Sequence, residues 1–290
     1  MEAGVRPLPK MDYAAPSSLP EAFRLLRDYQ SKARLLAGGT DLIPKMKKGA
    51  VTAELIIDLN RIAGLAGIEM RGDRLHIRGL TRLAEIEESP WVKEKATALA
   101  QAIGLMASPP IRNRATLAGN LCTASPAADT APPLLILEAF VKMESIQGER
   151  IVPLSEFFLG PEKTMRRPDE ILTEVIIPVQ EGNSAFMKLG RRKAFTLSVV
   201  SAAAFVRARK GKFEEVRVAL GAVAPIPMRS RKVEEALKGS EVDERKIFQA
   251  AERVREEVKP ITDVRASAEY RRDMSYVLTK RILEQIGRRG

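Results

Sequence analysis

The sequence predicts an α+β protein built from three consecutive units, 1–60, 61–178 and 179–290. Changes of texture along the chain carry that reading. A helical pattern and two short apolar runs around a glycine turn fill the first unit, and hairpin-like alternation dominates the second. Three β-like runs followed by two helical patterns make up the last.

"SLPEAFRLLRDY" opens a helix, with Ser18 placed as its cap, Pro20 in the first turn, and Ala22, Phe23, Leu25, Leu26 and Tyr29 along one stripe. "ARLLAGGTDL" reads as a short buried strand entering a glycine turn, and "ELIIDLNRI" (54–62) as a second strand. From about 65, apolar residues alternate around a Gly-Asp turn, which predicts a hairpin carrying His76 on its solvent side. "WVKEKATALAQAIGLMAS" has the period of one helix, stopped by Pro109 and Pro110. The passage after it, "IRNRATLAGNLCTASPAADTAPPLLILEA", is rich in glycine, proline and alanine, and little regular structure is expected there before Leu134. "AFVKMES", "ERIVPLSEFF" and "DEILTEVIIP" read as strands or strand plus turn. Past Pro178, "SAFMKLGRR", "SVVSAAAFVRA" and "FEEVRVALGAV" predict a three-stranded meander, closed by helices over 243–257 and 266–287. The last helix places Met274, Val277, Leu278, Ile282 and Ile286 on one face.

Composition narrows the function. With 45% hydrophobic and 29% charged residues, the 290-residue chain is of globular type and long enough to bury a core without staples. A single cysteine, Cys122, and a single histidine, His76, leave no disulfide framework and no zinc or iron–sulfur site within the chain. No 18-residue apolar run exists and the start lacks the apolar stretch of a signal peptide, so no transmembrane segment and a cytoplasmic location are expected. The net charge of +11 is spread over "KMKK" at 45–48 and arginine pairs at 166–167, 191–192, 271–272 and 288–289, with few aromatics beside them. That pattern argues against nucleic acid and for a positive surface facing anionic cofactors, acidic partner chains or simply water.

Two stretches have the chemistry of a binding site. In "LLAGGTDL" the glycines Gly38 and Gly39 allow positive φ and close main-chain approach, and successive peptide N–H groups there form a nest for an anion such as a diphosphate. The spacing is not that of a dinucleotide-binding Rossmann turn, and no long helix follows. In "RATLAGNLCTASPAADTAPP", small residues at Ala118 and Gly119 lie among Thr116, Asn120, Thr123, Ser125 and Asp129, whose hydroxyls, amide and carboxylate suit a ribityl chain or ribose. Read from their residues alone, the first stretch favours a plain tight turn, whereas the second favours a binding passage over a Pro/Ala-rich connector.

"LLAGGTDL" at 35–42, "IRNRATLAGNLCTASPAADTAPPLL" at 111–135 and "SAFMKLGRRKAFTLSVVSAA" at 184–203 resemble, in order and spacing, the FAD-binding subunits of molybdenum-containing hydroxylases. That family includes the medium subunit of carbon monoxide dehydrogenase and the flavin domain of xanthine dehydrogenase, and the resemblance runs from about 8 to 285. It implies a p-cresol methylhydroxylase-type FAD-binding fold, two α/β subdomains clasping the cofactor, with a C-terminal α+β subdomain packed over it. It also implies that the backbone of Leu36, Ala37, Gly38, Gly39, Thr40, Asp41 and Leu42 wraps the FAD pyrophosphate. Thr116, Ala118, Gly119 and Asn120 would then line flavin and diphosphate, Asp129 would bind a cofactor hydroxyl, and Thr123 and Ser125 would supply further hydroxyls. Leu172, Lys188 and Met106 match further family contacts, Met106 at a position aromatic in xanthine dehydrogenase, while Ala118 stands where a glycine is common.

The functional expectation follows from the resemblance. The chain would hold non-covalent FAD, since the loop lacks the histidine that covalent relatives use. It would take electrons from a small [2Fe–2S] subunit, fed by a molybdopterin-binding large subunit, and pass them to NAD+, a quinone or another acceptor, typically within a dimer of heterotrimers. The motifs contain no catalytic acid–base pair, and Cys122 reads as a packing residue near the cofactor. The alternative is a stand-alone FAD oxidoreductase of the enolpyruvyl reductase type, which would need its own substrate acid and an arginine cluster.

Overall fold

The computed structural model describes residues 7–192 and 195–287. Lys193 and Ala194 of the third motif, the first six residues and the Arg288–Arg289 pair lie outside the described residues. The N-terminal segment runs β1 (Asp12–Ala14), α1 (Leu19–Tyr29), β2 (Ala33–Leu36), α2 (Leu42–Lys47) and β3 (Leu55–Asp58), with the strands parallel in the order β1-β3-β2. Ser18 sits at the start of α1 in extended conformation without a side-chain cap. Ala22, Phe23 and Leu26 of that helix bury against Leu55, Ile57 and Leu59, each large side chain contributing about 1.5–3 kcal/mol. This packing fixes the end of β2, and so the position where the glycine loop begins.

The middle segment contains β4 (Ile68–Arg71), β5 (Arg74–Arg78), α3 (Leu83–Glu88), α4 (Pro90–Lys95), α5 (Thr97–Leu105), α6 (Pro109–Arg112), α7 (Leu117–Thr123) and α8 (Ala131–Ile136). It continues with β6 (Phe140–Ser145), β7 (Gly148–Pro153), α9 (Leu154–Phe157), β8 (Phe158–Gly160), β9 (Lys163–Thr164) and β10 (Ile171–Pro178). Its antiparallel five-stranded sheet has the order β4-β5-β10-β6-β7. Two expectations are corrected here. The helix over 91–108 is two helices, because Ala96 leaves helical geometry at φ −138°, ψ 47°. The proline-rich passage before Leu134 is also largely helical, in α6, α7 and the start of α8, since the prolines occupy first-turn positions that need no N–H and Thr116 caps α7.

His76 is corrected too. It lies on the outward face of β5 but is buried, its Nδ1 3.3 Å from the carboxylate of Glu174. Long neighbours cover it: Arg78 and Arg71 reach the same carboxylate at 3.3 and 3.6 Å. Pattern reading assigns faces, and it misses such coverage by side chains.

The C-terminal segment is β11 (Asn183–Gly190), β12 (Ser198–Arg209), β13 (Lys212–Gly221), β14 (Met228–Arg229), α10 (Arg231–Leu237), α11 (Glu244–Glu252), α12 (Val254–Glu257) and α13 (Ala268–Gly287). The expected three-stranded meander gains a two-residue fourth strand, a short helix precedes the expected ones, and the single helix expected over 243–257 is two, α11 and α12, parted at Arg253. One face of this sheet, with Phe186, Ala203, Phe205 and Ala219, joins the middle core. The other, with Val200, Ala202, Ala204 and Val218, packs with Leu278, Ile282 and Ile286 of α13. Burial on both faces explains why "SVVSAAAFV", with only small buried serines among its apolar residues, does not alternate.

Candidate cofactor-binding site

The glycine loop and the 111–130 passage are brought against each other. A Cβ on Gly38 would stand 2.1 Å from the carbonyl oxygen of Arg114 and 2.9 Å from the Cα of Ala115, so glycine is required there by main-chain packing between the two stretches. Gly39 has a different reason, a backbone φ of +74°. Across the gap, a Cβ on Gly119 would meet that of Ala37 at 3.9 Å. Farther along, the Thr123 hydroxyl donates to Asp41 at 3.3 Å.

Two side chains that the sequence did not flag brace this junction. Asn60 donates to the carbonyl of Ala37 at 2.8 Å, and Arg82 donates to the side-chain oxygen of Asn60 and to the carbonyl of Arg114, each at 2.6 Å. Burial, and then the neighbouring charge of Arg114, lower the pKa of the Arg82 guanidinium. Neither residue belongs to a motif with a recognisable spacing, so only the tertiary fold reveals the brace. Lys45, first of the "KMKK" run, pairs with Asp41 at 3.0 Å and Glu162 at 2.7 Å. Burial works against its charge, but the hydrogen bonds to Glu162 and Asp41 outweigh it and hold the pKa up.

The two stretches present different groups. Among the described residues, the N–H groups of Gly38, Gly39, Thr40 and Asp41 have no acceptor in the protein. These successive donors around a positive-φ glycine have the geometry of an anion nest and fit a diphosphate. In the second stretch the N–H groups are occupied: Leu117 donates to Thr81, Ala118 to Gly79, Gly119 to the Thr116 hydroxyl and Asn120 to the Thr116 carbonyl. Ala118 is buried with its methyl toward Gly79, where glycine leaves the room that this alanine needs.

What the second stretch offers is side chains. Thr130 donates to the Asn120 oxygen at 2.6 Å, which orients that amide. Ser125 accepts from the Ala127 N–H at 3.3 Å. Asp129 is buried and receives Lys188 at 2.8 Å and the Ser198 hydroxyl at 2.5 Å, while Lys188 also donates to the Thr196 carbonyl at 3.1 Å. Burial pushes the Asp129 carboxyl up, and the pull of Lys188 and Ser198 only partly offsets it. Lys188, an ordinary lysine by sequence pattern, is therefore a buried partner joining β11 to this stretch.

Other expected contacts stand apart. Met106 ends α5, and its carbonyl accepts from Arg112 at 3.0 Å. Leu172 is buried on β10, its carbonyl against Gly79. Cys122 is partly buried against the middle core, and burial raises its thiol pKa, as expected of a packing residue. No group of metal-ligating side chains occurs among the described residues.

Residues 9–180 match the model of the FAD binding domain in molybdopterin dehydrogenase, and 184–286 match the CO dehydrogenase flavoprotein C-terminal domain. The chain belongs to this family of FAD-binding subunits. It is 33% identical over 277 residues to the xanthine dehydrogenase FAD-binding subunit of Escherichia coli O157:H7, covering 94% of each chain. It is equally 33% identical to the carbon monoxide dehydrogenase medium chain of Hydrogenophaga pseudoflava, covering 95% of this chain and 96% of the relative. The solved carbon monoxide dehydrogenase of that organism superposes with a TM-score of 0.94 over 97% of this chain and 98% of its own, at 33% identity. Quinoline 2-oxidoreductase from Pseudomonas putida 86 does so at 0.94's near neighbour, 0.93, with 28% identity, covering 97% and 98%. The FAD-binding fold with its C-terminal α+β domain is thus the fold of this chain, and it is a flavoprotein subunit of oxidoreductase type. No helix among the described residues is long and apolar enough to cross a membrane.

Proposed function

We propose that the chain is the FAD-carrying electron-transfer subunit of a molybdopterin-dependent hydroxylase or dehydrogenase. It receives electrons from a [2Fe–2S] subunit and delivers them to NAD+, a quinone or another acceptor. The assembly is a dimer of heterotrimers with a molybdopterin-binding large subunit, acting in the cytoplasm. The observation that carries this reading is the run of unpaired N–H groups from Gly38 to Asp41 facing a stretch of oriented hydroxyl, amide and carboxylate groups.

In this reading Leu36 to Leu42 hold the pyrophosphate through main-chain donors. Thr116, Ala118, Gly119, Asn120, Thr123 and Ser125 line the rest of the cofactor, with Met106 and Leu172 at its edges. Asp129, kept in place by Lys188 and Ser198, accepts a cofactor hydroxyl through its remaining lone pairs. Bound FAD supplies reversible two-electron chemistry; the protein supplies position, charge and exclusion of water. The three units, divided near 60 and 178, share this work: two form the walls and the third covers them.

The test is reconstitution. The purified chain should take up one FAD, turn yellow, and bleach anaerobically when its molybdopterin and iron–sulfur partners are added with their substrate. Gly39→Val should lower FAD occupancy more than it lowers the melting temperature. A chain that refuses FAD on reconstitution, or a variant that loses both properties equally, returns the loop to a structural turn.

A further inference from the structure

Two neighbouring loops of the C-terminal segment present large apolar side chains to solvent. Phe195 and Leu197 are 56% and 64% exposed, and Ile261 and Val264 are 67% and 90% exposed. The loops are tied together: Arg191 donates to the Val264 carbonyl at 3.0 Å and Arg265 to the Ser198 carbonyl at 3.2 Å. Phe195 also holds φ +53°, a costly conformation for a bulky residue. Isolated exposed apolar residues need no explanation, but four gathered on adjoining loops mark an interaction surface.

The patch is basic. Its described residues 190–192 and 195–198 include Arg191 and Arg192 and no acid. The acid of the second loop, Asp263, is neutralised by Arg265 and Arg271, each at 2.6 Å. The patch also adjoins the candidate site, because Thr196, between Phe195 and Leu197, accepts from the same Lys188 that pairs with Asp129. Its four side chains stand on loops, and clefts of the surface beside Phe213 and Lys238 and beside Glu94 and Gln180 are not lined by them. A small molecule needs a concave pocket, whereas an apolar patch with a cationic rim fits a protein with an acidic rim.

We propose that this patch docks an acidic one-electron carrier protein that accepts electrons from the bound flavin; the proposal rests on the functional reading above. Each two-electron-reduced flavin gives one electron to each of two docked carriers in turn and releases two protons to solvent, returning to FAD.

The experiment uses the full chain loaded with FAD, photoreduced without oxygen, and mixed with the ferric soluble domain of cytochrome b5, a small acidic haem protein. Two ferrous haems should form per flavin. The rate should fall as salt rises from about 50 to about 500 mM. Arg192→Glu, and separately the pair Leu197→Ser with Val264→Ser, should slow it about ten-fold or more. Their flavin spectra, melting temperatures and reoxidation by benzoquinone should stay unchanged. Equal slowing with benzoquinone, equal rates with basic cytochrome c, or rates indifferent to the substitutions would each overturn the docking surface while leaving a yellow, reducible chain. Loss of co-purification with the molybdopterin-binding chain would make the patch a subunit contact and also overturn it. A chain that takes up no flavin sinks this proposal together with the reading beneath it.

Discussion

The glycine loop and the 116–130 stretch face each other, yet they are built on opposite plans. The loop uses its side chains, or their absence, for structure: Gly38 packs on the Arg114 main chain and Gly39 takes a positive φ. Its main-chain donors stay unpaired. The second stretch uses its main chain for structure, in α7 and its cap, and leaves hydroxyls, an amide and a carboxylate to the site. A diphosphate asks for several donors at close range, and a polyol asks for mixed donors and acceptors, so each wall suits one part of a dinucleotide.

The strongest way to break this comparison is at Asp129. Asp129→Asn leaves the Lys188 ammonium buried without its counter-charge, and we expect a loss of about 3–5 kcal/mol in chemical denaturation. Adding Lys188→Met should recover much of that stability without restoring FAD affinity. If stability and FAD affinity return together, the carboxylate is only a lysine partner and the second wall loses its most specific group.

Gly38→Ala tests the first wall. A methyl 2.1 Å from a carbonyl oxygen forces the two stretches apart, and the cost should be about 3 kcal/mol, the upper end for overpacking, seen as a lowered denaturation midpoint. FAD should be lost with it, since the walls are no longer in register. A variant of unchanged midpoint would show that the close approach of Gly38 to Arg114 is dispensable.

These two sites also show what a sequence can reveal. The need for glycine at 38 and 39 was legible, but its cause at 38 was not, because Arg114 is far away in sequence and only packing brings it there. The loop and the polar run were readable because their residue types are unusual for plain connectors. The helices within 109–136 were hidden, because proline and glycine signals were read as breakers although they stand at helix starts. The partners of Asp129 and the Asn60–Arg82 brace are tertiary facts with no local pattern. Sheet assignments succeeded where apolar alternation or long apolar runs set the faces. His76 failed because coverage by Arg71 and Arg78 is not periodic.

A smaller effect sharpens the main-chain plan of the second stretch. Thr116 accepts from the Gly119 N–H at 3.1 Å and caps α7. Thr116→Ala should cost about 1 kcal/mol in thermal or denaturant unfolding. It also frees the Gly119 N–H, so FAD affinity should change less than stability. A larger loss of affinity than of stability would place the Thr116 hydroxyl on the cofactor and blur the division between the walls.

The smallest effect lies in the brace behind the glycine loop. Asp58 accepts from the Tyr13 hydroxyl at 2.6 Å and from the Asn60 N–H at 2.9 Å, and so holds the residue that grips Ala37. Partial burial disfavours its charge, but the hydrogen bonds from Tyr13 and Asn60 outweigh it and lower its pKa below the ordinary carboxylate value. A carboxyl with a depressed folded pKa binds fewer protons folded than unfolded. Its contribution is therefore present in full above the ordinary value and is lost as pH falls through the folded one. Acidification should weaken the hold of Asn60 on the loop before the rest of the fold yields, and FAD should dissociate at a pH above that of unfolding. Asp58→Asn should flatten the acid side of the FAD-release profile, measured by flavin fluorescence, while leaving the neutral side in place. An unchanged profile would mean that the loop keeps its shape without Asp58, leaving the contact between Gly38 and Arg114 to set it.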